Sequence, residues 1–247
     1  MLTRQKLRKG IILCSFFIFP AILFYFSPFL IIQATSKGIV NGSFVVFSLL
    51  FLSALILGRG YCGWVCPGAG CQEAISIARN KKVTKGDYIK WLIWIPWVSA
   101  IFIFAMRRGG YEQIDFFYAT LHGLSVTSFQ SLIIYMIVLS LIVIPSFLIG
   151  RRSFCHHICW MAPFMIMGRK IRNIFNWPSL QLRALGGNCT HCHRCTRNCP
   201  MSLPVEQMVE QNKMENPECI LCGTCIDGCK SKAIKFDFNV MENQRYE

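Results

Sequence analysis

Eight cysteines near the C-terminus fall into two runs of the same spacing, C-x2-C-x2-C-x3-C: Cys189, Cys192, Cys195 and Cys199, then Cys219, Cys222, Cys225 and Cys229. Three thiolates at this spacing converge on one iron-sulfur cube, while the fourth, set three residues further on, reaches across to a neighbouring cube. The pattern predicts two 4Fe-4S clusters with crossed fourth ligands. Cys189, Cys192, Cys195 and Cys229 would hold the first, and Cys219, Cys222, Cys225 and Cys199 the second. Zinc is the competing metal, but it asks for two separated pairs and has no use for a third cysteine two residues on. Cys189, Cys192 and His193 also spell the C-x-x-C-H of haem c attachment. Haem there would strand Cys195 and Cys199, so His191 and His193 are expected to be loop residues beside a cluster. Pro200 follows the first run and ends its turn, whereas Lys230 takes the equivalent place in the second.

A second constellation lies upstream. Arg59-Gly60-Tyr61-Cys62-Gly63-Trp64-Val65-Cys66 and Arg152-Ser153-Phe154-Cys155-His156-His157-Ile158-Cys159 share the pattern R-x-aromatic-C-x-x-aliphatic-C, and each follows an apolar hairpin. The chain therefore contains a duplicated two-helix unit. Cysteines at i and i+4 share a helix face, and duplication would bring two such pairs together. Four thiols could hold a metal or cluster, or cycle between dithiol and disulfide; small buried packing residues are the plainer alternative, and the expectation for Cys14 and Cys71. His156 and His157 are candidates for ligation or proton relay, or for hydrogen bonds to carbonyls or headgroups.

The elements that position these cysteines are set by composition. The chain is 53% hydrophobic and only 15% charged, with 20 phenylalanines among 247 residues. Four apolar stretches, about 10–32, 39–57, 89–106 and 131–149, approach the ~20 residues a helix needs to cross a bilayer. The third reaches that length only if Lys90 snorkels to the interface. Pro20, Pro28, Pro96 and Pro145 predict kinks. Arg4, Lys6, Arg8 and Lys9 precede the first stretch, and Arg59, Arg79, Lys81, Lys82, Lys85 and Lys90 lie between the second and third, against Lys37, Arg107 and Arg108 on the other side. The excess of basic residues predicts that both termini face the cytoplasm, in a multi-pass protein of the cell membrane whose first span stays uncleaved. The net charge of +14 is then explained by this rule and by anionic lipid, and no nucleic-acid module is present. No histidine falls in an expected span, which excludes a transmembrane bis-histidine haem.

The expected fold is thus an α-helical membrane protein of four transmembrane helices with a C-terminal α+β two-cluster ferredoxin-like domain. Residues 1–159 form the membrane domain of two repeated hairpins, with the C-x3-C motifs at 62–66 and 155–159. Residues 160–187 form an interfacial amphipathic linker in which Arg169, Lys170 and Arg172 follow an apolar run. Residues 188–240 are the cluster domain, and 241–247 a polar tail.

The cysteine motifs, placed after spans two and four and followed by a cytoplasmic two-cluster module, resemble the NapH-type membrane iron-sulfur proteins. These include quinol dehydrogenase subunits, with more distant relatives among nitrous oxide reductase regulators and cytochrome oxidase assembly proteins. Cys62 to Pro67 keeps the C-x3-C-P of that family, but Trp160 stands where the second copy would have proline. The resemblance implies electron transfer between a quinone pool or membrane partner and a cytoplasmic redox protein, with a quinone as candidate cofactor. Tyr111, Glu112, Asp115, Tyr118 and His122, in the loop from Arg107 to Phe129, could handle quinone protons, or form an ordinary interfacial aromatic belt. Two other functions remain open: an assembly factor that reduces a metal centre such as copper or a disulfide of a partner, and a ferredoxin that its spans merely anchor.

Overall fold

The computed structural model describes residues 3–83 and 86–240; Lys85 and the expected polar tail 241–247 lie outside the described residues. Helix α1 (Thr3–Ile22), a 3-10 turn (Leu23–Phe26) and α2 (Pro28–Ser36) make one apolar stretch from Arg4 to Ser36. Pro20 removes an amide from the ladder close to the end of α1. Ser27 then accepts a hydrogen bond from the Leu30 N–H, with Pro28 at the first helical position, and the helix restarts. Residues Ile39–Asn41, expected inside the second span, instead form β1. It pairs in parallel with β2 (Gln113–Asp115), Ile39 opposite Gln113. Asn41 both caps α3 (Gly42–Leu57) by accepting from Phe44 N–H and donates to the Leu30 carbonyl at 2.9 Å. At 16 residues α3 is apolar but shorter than a full crossing needs.

Two further helices have the length and composition to cross a membrane, α6 (Ile89–Arg108) and α7 (Phe129–Leu148). Gly109 ends α6 in the left-handed region, φ 83°, and a Ser128–Ser131 capping box starts α7. Their outer faces expose Leu92, Ile95, Phe102, Leu132, Ile137 and Ile144, a surface suited to lipid rather than water.

The duplication is visible as α3, α4 (Gly60–Trp64) and α5 (Pro67–Ala78), matched by α7, α8 (Ser153–His157) and α9 (Ala162–Phe175). The two copies exchange partners, since α9 packs against α3 while α5 packs against α7 and α1. Glycines permit the approach. A Cβ on Gly168 would stand 2.9 Å from both Ala54 Cβ and Phe51 O, and one on Gly70 would stand 2.6 Å from Ile12 O. Helix α9, in the segment expected to be an amphipathic linker, packs one face on α3 while Ile174 and Phe175 stay exposed. Met165, Ile166, Arg169 and Arg172 are all buried, the two arginines because carboxylate and amide partners receive them.

The chain ends in a small module. Strand β3 (Ser179–Ala184), in the segment expected to be linker, pairs antiparallel with β4 (Ile234–Asn239), Ser179 opposite Asn239 and Ala184 opposite Ile234. Between them lie α10 (Arg194–Asn198), α11 (Val205–Glu210) and α12 (Thr224–Gly228).

Candidate iron-sulfur sites

The two cysteine runs fold alike. In the first, His191 and His193 take the left-handed conformation, φ 51° and 56°; in the second, Leu221 and Gly223 do so at the equivalent positions, φ 51° and 73°. Each run thus reverses direction twice before its short helix, α10 or α12, which carries the third cysteine. The fourth follows in extended backbone. Helices α10 and α12 pack against one another, and this sets each fourth cysteine against the other run. Cys199, Cys219, Cys222 and Cys225 line one small cavity, walled by Leu182, Met201, Met208 and Met214. Cys189, Cys192, Cys195 and Cys229 line the other.

The cavities differ in depth. All four cysteines of the first are buried, whereas Cys192 is exposed and Cys189, Cys195 and Cys229 half-buried, so the two are an inner and an outer site. The all-sulfur donor set and the Ala233 N–H donated to Cys229 Sγ at 3.3 Å fit a four-iron cube, whose thiolates accept such hydrogen bonds. His191 and His193 reach the carboxylates of α11 rather than either cavity's sulfurs: His191 Nδ1 lies 2.8 Å from Glu210, and His193 pairs with Glu206.

Buried ion pairs fasten the module to the helices. Arg4 grips Asp227, and Gln5 Nε2 donates to Cys222 O at 3.0 Å. Glu218 receives Lys90 Nζ at 2.5 Å and Arg59 Nη1 at 2.9 Å. Arg169 holds Glu215 through two bonds of 2.6 Å. Within the helical part Glu73 joins Arg8, at 2.7 Å, to Arg152, at 2.5 Å. Burial alone would raise these glutamates, but the facing cations outweigh it and hold Glu73, Glu215 and Glu218 below the ordinary carboxylate value. Lys90, expected to snorkel, is instead fully buried on Glu218. Sequence reasoning missed these acids. The one hint was their scarcity, 12 against 26 basic residues.

Cys62, Cys66, Cys155 and Cys159 are all buried and lie near one another, and burial pushes the Cys66 and Cys159 thiols up. Cys71 is buried as well, while Cys14 is exposed. His156 Nδ1 lies 2.5 Å from Asp87, and His157 Nδ1 beside Ser153 O at 2.9 Å. Four of the five residues considered for quinone protons, Tyr111, Glu112, Asp115 and Tyr118, are engaged locally. Glu112 pairs with Arg108, Asp115 accepts from Phe117 N–H, Tyr118 underlies Lys37, and Tyr111 packs on Phe44. Gly123, next to His122, passes its carbonyl to Tyr25 Oη.

Comparison with known sequences places these sites in a class, the ferredoxin-type iron-sulfur proteins. A 4Fe-4S dicluster domain matches residues 188–234, and a 4Fe-4S binding domain matches twice, over 42–86 and 131–178. Ferredoxin-type proteins of the NapH and MauN kind and the regulatory protein NosR are among the relatives this chain resembles. It is similar to an uncharacterised protein of Methanocaldococcus jannaschii, 28% identical over 82% of each chain. It is also similar to the putative electron transport protein YccM of Escherichia coli, 23% identical over 76% of this chain and 51% of the relative. A third relative, the ferredoxin-type protein NapH of Haemophilus influenzae, is 24% identical over 76% of this chain and 66% of its own. No solved structure matches.

Proposed function

We propose that the protein is a membrane-bound electron carrier that binds one 4Fe-4S cluster through Cys189, Cys192, Cys195 and Cys229 and another through Cys219, Cys222, Cys225 and Cys199. The observation that carries this reading is that each crossed set of four lines its own cavity. When bound, such clusters supply one-electron oxidation and reduction without moving atoms. The chain's own residues exclude water from the inner site with methionine and leucine, leave the outer site accessible through Cys192, and anchor both to the helices through Glu215, Glu218 and Asp227. We place four spans in the bilayer, α3 among them because it exposes Leu49, Leu52 and Ile56. Both termini and the cluster module lie in the cytoplasm, on the side where basic residues concentrate. Electrons pass between a quinone pool or membrane partner and a soluble redox protein, in keeping with the electron-transport name of one relative.

The test is an anaerobic preparation analysed for iron, labile sulfide and EPR. About eight irons and eight sulfides, four of each per cluster, with Cys199→Ser and Cys229→Ser perturbing different signals, would support the assignment. A colourless protein, or one holding zinc, would end it. A second reading, maturation of a partner's soft metal, draws on the thiol of Cys62 lying 3.3 Å from Met165 Sδ, since thiolate and thioether suit Cu(I). Quinol oxidation by the purified protein separates the two, because a maturation factor has no need of it.

A further inference from the structure

The two cysteine runs share a backbone but not their side chains. His191 and His193 occupy in the first run the left-handed positions that Leu221 and Gly223 occupy in the second. Leucine and glycine therefore suffice for the turn, and the loop itself has no need of imidazole. Both histidines face α11, where Glu206 and Glu210 stand four residues apart and share a helix face. His191 Nδ1 lies 2.8 Å from Glu210 Oε1 and 3.7 Å from Glu206 Oε1, and one donor atom from each of the three residues falls within 4.8 Å of the other two. His193 Nδ1 pairs with the second Glu206 oxygen, Oε2. The Glu206 N–H donates to Thr196 Oγ1 at 2.9 Å, which fixes the start of α11 against α10.

Glu206 is the unusual member of this group. Its side chain is only 8% exposed. Glu73, Glu215 and Glu218 each meet arginine or lysine at their joints, whereas among the described residues Glu206 meets only the two imidazoles. A carboxylate out of water is costly unless a cation faces it. This one also lines the cavity of Cys189, Cys192, Cys195 and Cys229, where thiolates would add negative charge. Glu210 brings a second carboxylate to the same point. The group thus runs from a buried floor at Glu206 to an open rim, with His191 63% and Glu210 43% exposed. Two carboxylates balance a divalent cation, the rim gives it a way in, and the imidazole selects first-row transition ions over Mg2+ and Ca2+, which take oxygen ligands. Zn–N and Zn–O bonds of about 2.0–2.2 Å set tetrahedral ligands roughly 3.3–3.6 Å apart. The separations of 2.8 and 3.7 Å bracket that range.

We infer that His191, Glu206 and Glu210 form a binding site for a divalent first-row metal ion of the zinc class, with His193 orienting Glu206 through its second oxygen and one coordination position left to water. Bound there, the ion ties the ligand loop 189–192 to α11 and stands at the exposed side of the outer cavity. The site goes beyond the electron-carrying role proposed above, since it needs the loop and α11 in place and no particular redox partner.

The experiment titrates Mn2+ into the full-length protein, isolated anaerobically in detergent and washed with chelator, and follows the EPR signal of the free ion. Mn2+ is the probe because carboxylate and imidazole hold it, whereas thiolates select softer metals. The expected result is one Mn2+ bound per chain and displaced by Zn2+ but not by excess Mg2+. His191→Ala and Glu210→Gln, both at exposed positions, should each abolish the binding, and His193→Ala should weaken it about 10–100-fold. With both clusters present and reduced, the bound Mn2+ should broaden the outer signal and spare the inner one. No bound Mn2+, binding that survives His191→Ala and Glu210→Gln, or an ion that broadens both signals alike or neither would each overturn the inference. Iron and sulfide counted in the same sample report separately on the clusters. About eight irons without a Mn2+ site would sink this site alone, and a Mn2+ site in a protein lacking the clusters would sustain it while that reading fails.

Discussion

Replacing Glu218 with glutamine asks whether charge fastens the cluster module to the membrane helices. The Glu218 carboxylate is 10% exposed, and its two cations, Lys90 and Arg59, have side chains 0% and 1% exposed. An amide in its place leaves Arg59 without its carboxylate and Lys90 with only the half-exposed Asp87 nearby. Removing one partner of a buried pair costs about 3–5 kcal/mol, and with so little water at hand the upper part of that range, about 4 kcal/mol, is expected. Lys90→Met should cost much less, about 1 kcal/mol, because the charged bond it loses is offset by no longer burying an ammonium and Glu218 keeps Arg59. In the Glu218→Gln background the same change removes a buried cation that has lost that carboxylate, so the double variant should be more stable than Glu218→Gln alone. The assay is thermal unfolding in nanodiscs followed by tryptophan fluorescence and cluster absorbance. At about 2–4 °C per kcal/mol for a chain of this size, Glu218→Gln should lower the midpoint by about 8–16 °C. A drop below about 2 °C, or a double variant less stable than the single, would refute the charge argument.

Acid should loosen the same joints. Glu73 and Glu215 titrate below their ordinary value of 4.5 in the folded protein, so their contribution is full above that value and lost as pH falls through the lower, folded one. Thermal midpoints should be flat from about pH 6 to 8 in these groups and fall below about pH 4.5, with a shallower acid limb in Glu73→Gln. Gly63→Ala pushes a methyl against Ile220 O; overpacking of this kind costs about 1–3 kcal/mol, and the EPR signal of the inner cluster should shift while the outer one does not. Cys192 is exposed whereas the inner four cysteines are buried, so limited oxygen should bleach the outer signal first, and simultaneous loss would contradict the order of depth. Arg4→Ala serves as the contrast, since its side chain is 36% exposed and an ion pair so open to water contributes under about 1 kcal/mol.

What the sequence disclosed, and what it withheld, follows from how far apart the interacting residues lie. The cysteine runs and the R-x-aromatic-C-x3-C repeat are local, and ligand spacing or helical period carries their meaning. The crossed assignment of Cys199 and Cys229 follows the ligand spacing of two-cluster ferredoxins, and each crossed set lines its own cavity. The exchange of α5 and α9 was not legible, because each helix taken alone is amphipathic and would suit a lipid surface as well as a neighbour; only Gly168 and Gly70, small where helices touch, marked the contact. The pairing of Ile39 with Gln113 likewise joins segments whose spacing along the chain carries no register.

The basic residues show why one pattern can serve two ends. Counting them for topology treats each as a solvated charge held on one side by the membrane rule, and on that count Arg4, Arg8, Arg59 and Lys90 are interchangeable. Folding distinguishes them by depth. Arg8, Arg59 and Lys90 end almost wholly buried on carboxylates, while Arg4 stays partly in water. A buried cation must find an anion, and with 12 acidic residues for 26 basic ones the acids that enter the interior are shared two to one at Glu73 and Glu218. That sharing decides which of the basic residues counted for topology end at the joints: Arg8 and Arg152 meet on Glu73 within the helical part, and Arg59 and Lys90 meet on Glu218 of the cluster module.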